Sequence, residues 1–163
     1  MTRSAPLYAA LAVIAWAIPA GAMMIKVPLG DLTGQSASVL RGRVVATRAA
    51  WTPDNRTIET AVTIAIDEAW KGTVPADRAV RLRVAGGEVG EVGVMVEHAP
   101  LFATGEDVVV FLERQPDGAL RVSADEQGKY TVAGEWIIGY EQRPVKLSEF
   151  RAEVGRFTPA EGR

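Results

Sequence analysis

The sequence predicts a mainly β protein, a five-stranded barrel followed by a short C-terminal helix. Three observations carry that expectation. Ile58, Thr60, Val62, Ile64 and Ile66 alternate with Glu59, Thr63 and Asp67, the period of a strand with one buried face. Val108 to Leu112 reads VVVFL, an unbroken apolar run that suits a strand buried on both faces. Thr52-Pro53-Asp54-Asn55 and Gln115-Pro116-Asp117-Gly118 carry the turn chemistry of hairpins: proline presets φ, while asparagine and glycine accept positive φ.

Taken in order, the chain opens on a segment unlike the rest. Arg3 supplies a positive charge, Ala5 to Ile18 carries none, Pro19 breaks any helix, and Ala20-Gly21-Ala22 offers the small residues a signal peptidase reads. Residues 1–22 are therefore expected to be a signal peptide. The uncharged run is short for a membrane span, which needs about 20 residues. An uncleaved anchor is the alternative, because Met23-Met24-Ile25 prolongs the apolar stretch. Cleavage would leave a chain with no stable membrane insertion, exported to the periplasm or beyond. The chain has no cysteine, which excludes a lipid anchor on cysteine and points to a bacterial exported protein without disulfides.

Residues 23–35 hold a possible short helix with Leu29 and Leu32 facing inward, weakened by Gly30 and Gly34. Ser38 to Trp51 reads as the first strand, with Leu40, Gly42, Val44 and Ala46 on one face and Arg41 and Arg43 on the other. The alternating second strand ends at Trp70-Lys71-Gly72. Val80, Leu82 and Val84 alternate with Arg81 and Arg83 in a third. VVVFL is the fourth, Leu120 and Val122 make a short fifth, and Gly128 to Val132 continues or repeats it. Residues 133–163 form an extension. Trp136, Ile138 and Tyr140 suggest one more strand, and Ser148 can cap a helix bearing Leu147, Phe150, Val154 and Phe157 on one face. Asn55-Arg56-Thr57 matches a glycosylation acceptor but reads first as part of its turn.

The stretch GGEVGEVGVMVEHAPLFATG, residues 86–105, raises the question of chemistry. Gly87, Gly90 and Gly93 recur every third residue and precede His98, the one histidine of the chain. A phosphate cradle would need a helix after the glycines, and Glu88, Glu91 and Glu97 would repel the anion. A catalytic zinc needs several ligands, and one histidine with no cysteine does not supply them. No serine stands in a nucleophile-elbow context. The stretch reads instead as the long connection between the third and fourth barrel strands. Leu101 and Phe102 are expected to pack on the barrel, leaving Val89, Val92 and Val94 exposed. Glu88, Val89, Glu91, Val92, Val94 and His98 are the candidate partner-binding residues.

Net charge is −2, and loss of Arg3 with the leader leaves the mature chain more acidic still. That balance excludes sequence-independent nucleic-acid binding, which needs a basic footprint. Arg41, Arg43, Arg81 and Arg83 are expected on a solvated outer face.

Several features recur in the order seen in a known group: Val39-Leu40-Arg41-Gly42-Arg43-Val44, then Lys71-Gly72, then Pro100-Leu101-Phe102-Ala103-Thr104-Gly105-Glu106 before VVVFL, then Gln127-Gly128-Lys129-Tyr130. Over about 36–132 the chain resembles exported bacterial proteins similar to the netrin-like module, the OB barrel of the tissue inhibitors of metalloproteinases. The resemblance implies a five-stranded OB-like barrel and an exported partner such as a metalloprotease. In those inhibitors an N-terminal cysteine places its amine and carbonyl on a protease zinc. This chain has no cysteine, so that activity is not carried over. The sequence thus implies no catalytic residue, no metal and no cofactor. Three functions stand: a non-enzymatic binding module; a protease inhibitor acting without the cysteine; a hydrolase using carboxylates such as Glu88 and Glu91, whose pKa values would have to be driven apart.

Overall fold

The strand pattern closes on itself. The structure, a computed structural model, describes residues 25–158; the expected signal peptide, Met23 and Met24 lie outside them. Helix α1 spans Leu29–Gln35, and strands β1 (Ser38–Trp51), β2 (Ile58–Lys71) and β3 (Ala79–Ala85) follow. Next come a small hairpin of β4 (Gly87–Val89) and β5 (Val92–Val94), then β6 (Asp107–Arg114) and β7 (Leu120–Val122). A 3-10 turn at Asp125–Gly128 leads into β8 (Lys129–Ala133), β9 (Trp136–Ile138), β10 (Pro144–Lys146) and helix α2 (Leu147–Phe157).

The barrel runs β1-β2-β3-β7-β6, and β6 returns to pair with β1, which closes it with five strands. All contacts are antiparallel except β3 with β7. β1, β2 and β3 follow one another, and β6 comes back through residues 86–106 to lie beside β1. This is Greek-key connectivity.

Two cores explain the apolar run in β6. Val108, Val110 and Leu112 point into the barrel with Leu40, Val62, Ile64 and Leu82. Val109 and Phe111 point outward, into a second core with Val39, Leu32, Ile137, Phe150 and Val154. Each of Val108 to Leu112 is therefore fully buried. The tail builds that second layer. β8 pairs with β6, β9 with β8, and β10 with β9.

The structure corrects several details. The register shifts between Val44 and Ala46, a bulge that leaves Val45 half-exposed. Beyond it, Thr47, Ala49 and Trp51 stand opposite Val62, Thr60 and Ile58 and share their face, though Thr47 and Trp51 are themselves exposed, and Ala46 turns to the other side. Residues 129–132 do not continue β7. Left-handed Ala124 and Asp125 turn the chain, and β8 takes a separate stretch of the β6 edge. The tail holds two strands beyond β8 rather than one. Helix α2 starts at Leu147 after Lys146, with no side-chain cap, so Ser148 is not the cap. Phe150 and Val154 are buried, whereas Phe157 is half-exposed with its ring over Gly30.

The arginines do not form a free basic face. Arg41 is half-buried and donates to Asp107 Oδ2 at 3.0 Å, with Glu68 at 3.5 Å. Its hydrogen bond and charge contact with Asp107 hold its pKa above the ordinary value against the opposing pull of burial. Arg81 lies 3.5 Å from Asp77 and Arg83 lies 3.7 Å from Asp117, while Arg43 is exposed.

Candidate functional site

Residues 86–105 form a lid over one end of the barrel. At the end of β3 the chain must turn sharply while staying against the β1–β2 ribbon. Gly87 makes this possible: a Cβ there would lie 2.4 Å from Thr60 Oγ1 and 3.0 Å from Ala49 Cβ. Thr60 Oγ1 donates to the Gly86 carbonyl at 2.7 Å and fixes the turn. β4 and β5 then form a hairpin across the two-residue turn Gly90-Glu91, where Gly90 takes a φ of 63°. The glycine spacing therefore serves a hairpin, and no helix follows it to face an anion.

After Val94 the chain crosses the barrel end without regular structure. Pro100 is buried, and Ala99 and Phe102 pack on the barrel core. Below Phe102, Lys129 Nζ lies 5.4 Å from its ring centroid and pairs with Glu106. Thr131 Oγ1 donates to the same carboxylate, and the Ala103 N–H donates to Glu106 Oε2 at 3.2 Å. Burial pushes the Glu106 pKa up, but these donors and the Lys129 charge together outweigh it and hold the carboxyl below its ordinary value.

That balance has a consequence for stability. A carboxyl with a depressed folded-state pKa stabilises the fold above its unfolded-state pKa, and the stabilisation disappears as pH falls through the folded-state value. We expect Glu106→Gln to lower the melting temperature at neutral pH and the difference from wild type to close in strong acid. A gap that stays constant across an acid titration would show that the Glu106 charge is not involved.

Between the lid and the barrel end lies a pocket of about 450 Å³. Val62 and Val84 line it from the barrel, Val94 and Met95 from the lid, and Phe102 from the far wall. Met95 is 98% exposed and Leu101 is 83% exposed at its rim. Leu101 thus corrects the expectation that it packs with Phe102. With Pro100 and Phe102 both turned in, the residue between them is directed outward.

The candidate residues divide across this lid. Glu88 and Val94 line the pocket, Glu88 exposed and Val94 half-buried. Val92 is 46% exposed, Val89 is half-buried, and Glu91 occupies the exposed hairpin turn. His98 lies beyond the pocket, in a left-handed conformation with φ 63°. Its Nδ1 is 2.8 Å from Glu126 Oε1, and the Glu126 N–H donates to the His98 carbonyl at 3.0 Å. The Glu126 contact, aided by Glu97, Glu126 and Asp125 as nearby charges, raises the His98 pKa against a smaller burial penalty. His98 therefore ties the lid to the 3-10 turn. Sequence reasoning missed the pocket's barrel-side walls. Val62 and Val84 read as core, and nothing local marks the last inward residue of a strand as uncovered.

A second cavity, about 390 Å³, lies between the N-terminal segment, β8 and α2. Tyr130 lines it, and burial with Glu141 and Glu153 nearby pushes its hydroxyl pKa up to about 12. The Gln127 side chain fixes the segment above it. The Val27 N–H donates to Gln127 Oε1 at 2.9 Å, and Gln127 Nε2 donates to the Ile25 carbonyl at 3.0 Å. Compared with family models, with curated proteins and with solved structures, the chain matches none.

Proposed function

We propose that this chain is an exported, non-enzymatic binding module on an OB-like barrel similar to the netrin-like module. It receives an apolar group of a partner at the barrel mouth. One observation carries the reading: an apolar pocket of about 450 Å³ edged by exposed Met95 and Leu101. That volume falls within the roughly 300–1,000 Å³ of ligand sites, which favour barrel mouths. Grouped exposed apolar side chains mark contact surfaces. The OB-like assignment draws support from the closed, five-stranded Greek-key connectivity. Export rests on the charged, apolar and small-residue pattern of residues 1–22. An intact mass of the exported protein beginning at Met23 would support it, and full-length chain in the membrane fraction would refute it.

The binding test uses a substitution that plugs the pocket. Gly93 lines it, has no φ in the left-handed region, and a Cβ there would meet nothing within 4 Å. Gly93→Phe should therefore fold normally and set its ring beside cross-strand Glu88 at the pocket's edge, where it obstructs entry. Saturable binding of the neutral apolar dye Nile red to wild type should weaken by about tenfold or more in the variant, a loss of roughly 1.4 kcal/mol. Equal affinity in a folded variant would place the site elsewhere.

A second reading, a protease inhibitor acting without a cysteine amine, draws on the anchoring of Ile25 and Val27 by Gln127. It holds the N-terminal segment against the barrel without a disulfide, the segment that engages the protease in netrin-like inhibitors. Failure of the mature protein to slow a zinc endopeptidase would end this reading. No specific observation favours a hydrolase. Glu88 and Glu91 stand exposed on the hairpin, with no cation paired to either among the described residues.

A further inference from the structure

We propose that the partner segment received at the barrel mouth is basic as well as apolar. It is a polypeptide stretch whose apolar side chains enter the pocket and whose Lys or Arg flanks meet Glu88, Glu91 and Glu97. The inference rests on the reading of the mouth as a binding site and adds the chemistry of what binds there.

The charge pattern carries it. From Val84 to Leu112 the sequence contains no Lys or Arg, yet it holds Glu88, Glu91, Glu97, Glu106 and Asp107. The last two are engaged from within: Glu106 by Lys129 and Asp107 by Arg41. The first three are exposed on the lid. Of these, Glu97 alone approaches a nitrogen base, His98 Nε2 at 3.5 Å, and His98 is already held by Glu126. The barrel wall is different. Arg81, Arg83 and Arg121 each have a carboxylate within 4 Å, at Asp77, Asp117 and Glu59. These wall arginines are paired, whereas none of the three lid carboxylates has a Lys or Arg within 4 Å among the described residues. A carboxylate that lines an apolar cavity, as Glu88 does, attracts a cation more strongly than the same group on an open surface, because low-dielectric walls focus the field.

The spacing selects a polymer over a small cationic head group. Glu88 sits mid-strand in β4, and Glu91 occupies the turn. At about 3.3 Å per residue they are separated by several ångströms along the hairpin. Glu97 follows β5 in the chain, two residues past Met95, and borders a neighbouring hollow. One ammonium cannot meet all three, whereas basic residues a few positions apart on one chain can. Met95 and Leu101 provide apolar contact between these charges, and the flexible thioether adapts to different side chains.

The test uses the exported protein and two fluorescein-labelled nine-residue peptides with the same Leu/Val/Phe centre, one flanked by lysines and one by glutamates. Anisotropy titrations should show saturable binding of the basic peptide and about tenfold weaker binding of the acidic one, with the difference shrinking as added salt screens the rim. Glu88→Gln, Glu91→Gln and Glu97→Gln combined should abolish the preference, while Glu91→Gln with Glu97→Gln, neither of which lines the pocket, should leave Nile red affinity unchanged. Three results would overturn the proposal: equal affinity for the two peptides, a preference that survives in the triple variant, or equally tight binding of oligolysine lacking the apolar centre. Nile red binding with no peptide binding would overturn the basic segment and leave the mouth as an apolar site. Loss of both would remove the site itself, and the proposal with it.

Discussion

Replacing Phe111 by alanine should cost about 3–5 kcal/mol, the range for truncating a buried phenylalanine. Phe111 is fully buried and stands on the outer face of β6, where the barrel meets the helical layer. Its ring centroid lies 5.7 Å from that of Tyr130 on β8 and 6.3 Å from that of Phe150 on α2, the latter edge-on. Phe150 in turn lies 4.6 Å from Tyr130 and 6.2 Å from Trp70 on β2. One ring therefore joins the barrel, the tail sheet and the C-terminal helix. Its loss leaves a cavity that no flexible neighbour fills, because the surrounding rings are held by one another. Urea denaturation followed by tryptophan emission would measure the cost. A loss below about 1 kcal/mol would mean that the tail layer contributes little to global stability. Nile red binding by the variant, in conditions where it is folded, should match wild type. The pocket is walled by residues of the barrel core and the lid, and none of the second core lines it.

The sequence made the barrel legible where one residue type dominates one period. The alternation from Ile58 to Ile66 marks a half-buried strand, and VVVFL marks a doubly buried one, because burial alone dictates those patterns. It concealed whatever depends on a partner distant in sequence. The bulge at Val45 changes the face of every later residue in β1, yet VVAT reads like any strand. Gly128 to Val132 reads as a strand, but its edge is chosen by the left-handed pair Ala124 and Asp125, which carry no glycine to signal it. The candidate site was legible in its lid alone. Glu88, Glu91, Val92 and Val94 stand out against the glycines. The pocket also needs Thr60, Val62 and Val84 from two other strands, and Leu101 is turned outward by the packing of its neighbours.

Gly42→Ala should destabilise the protein by the upper end of the roughly 1–3 kcal/mol usual for overpacking, or more. A Cβ at this position would lie 2.1 Å from the Ala65 carbonyl oxygen and 2.9 Å from Ile64 Cγ2. The obstacle is main chain, so no rotamer change relieves it. β1 cannot retreat either, because Gly42 stands opposite Ile66 on β2 and Val108 on β6, held at both edges. The strand bends here, with a register shift between Arg41 and Gly42, and a missing side chain lets β2 approach the bend. Gly34→Ala serves as the control. Gly34 lies in α1 with nothing within 4 Å of a new Cβ. By helix propensity alone it should stabilise by up to about 1 kcal/mol. Opposite signs for the two glycine-to-alanine changes would tie the loss to steric contact at the seam. A Gly42→Ala variant within about 0.5 kcal/mol of wild type would mean that the strands part easily there. The seam also positions the mouth. Two residues past Gly42, the Val44 N–H donates to the Glu106 carbonyl and the Gly105 N–H donates to the Val44 carbonyl, both at 2.8 Å. Opening β1 from β6 would displace the chain that carries Glu106 and supports Phe102. In mild denaturant, Nile red binding by Gly42→Ala should therefore be lost no later than the global fold, and the Phe111→Ala variant should keep it until the barrel itself unfolds.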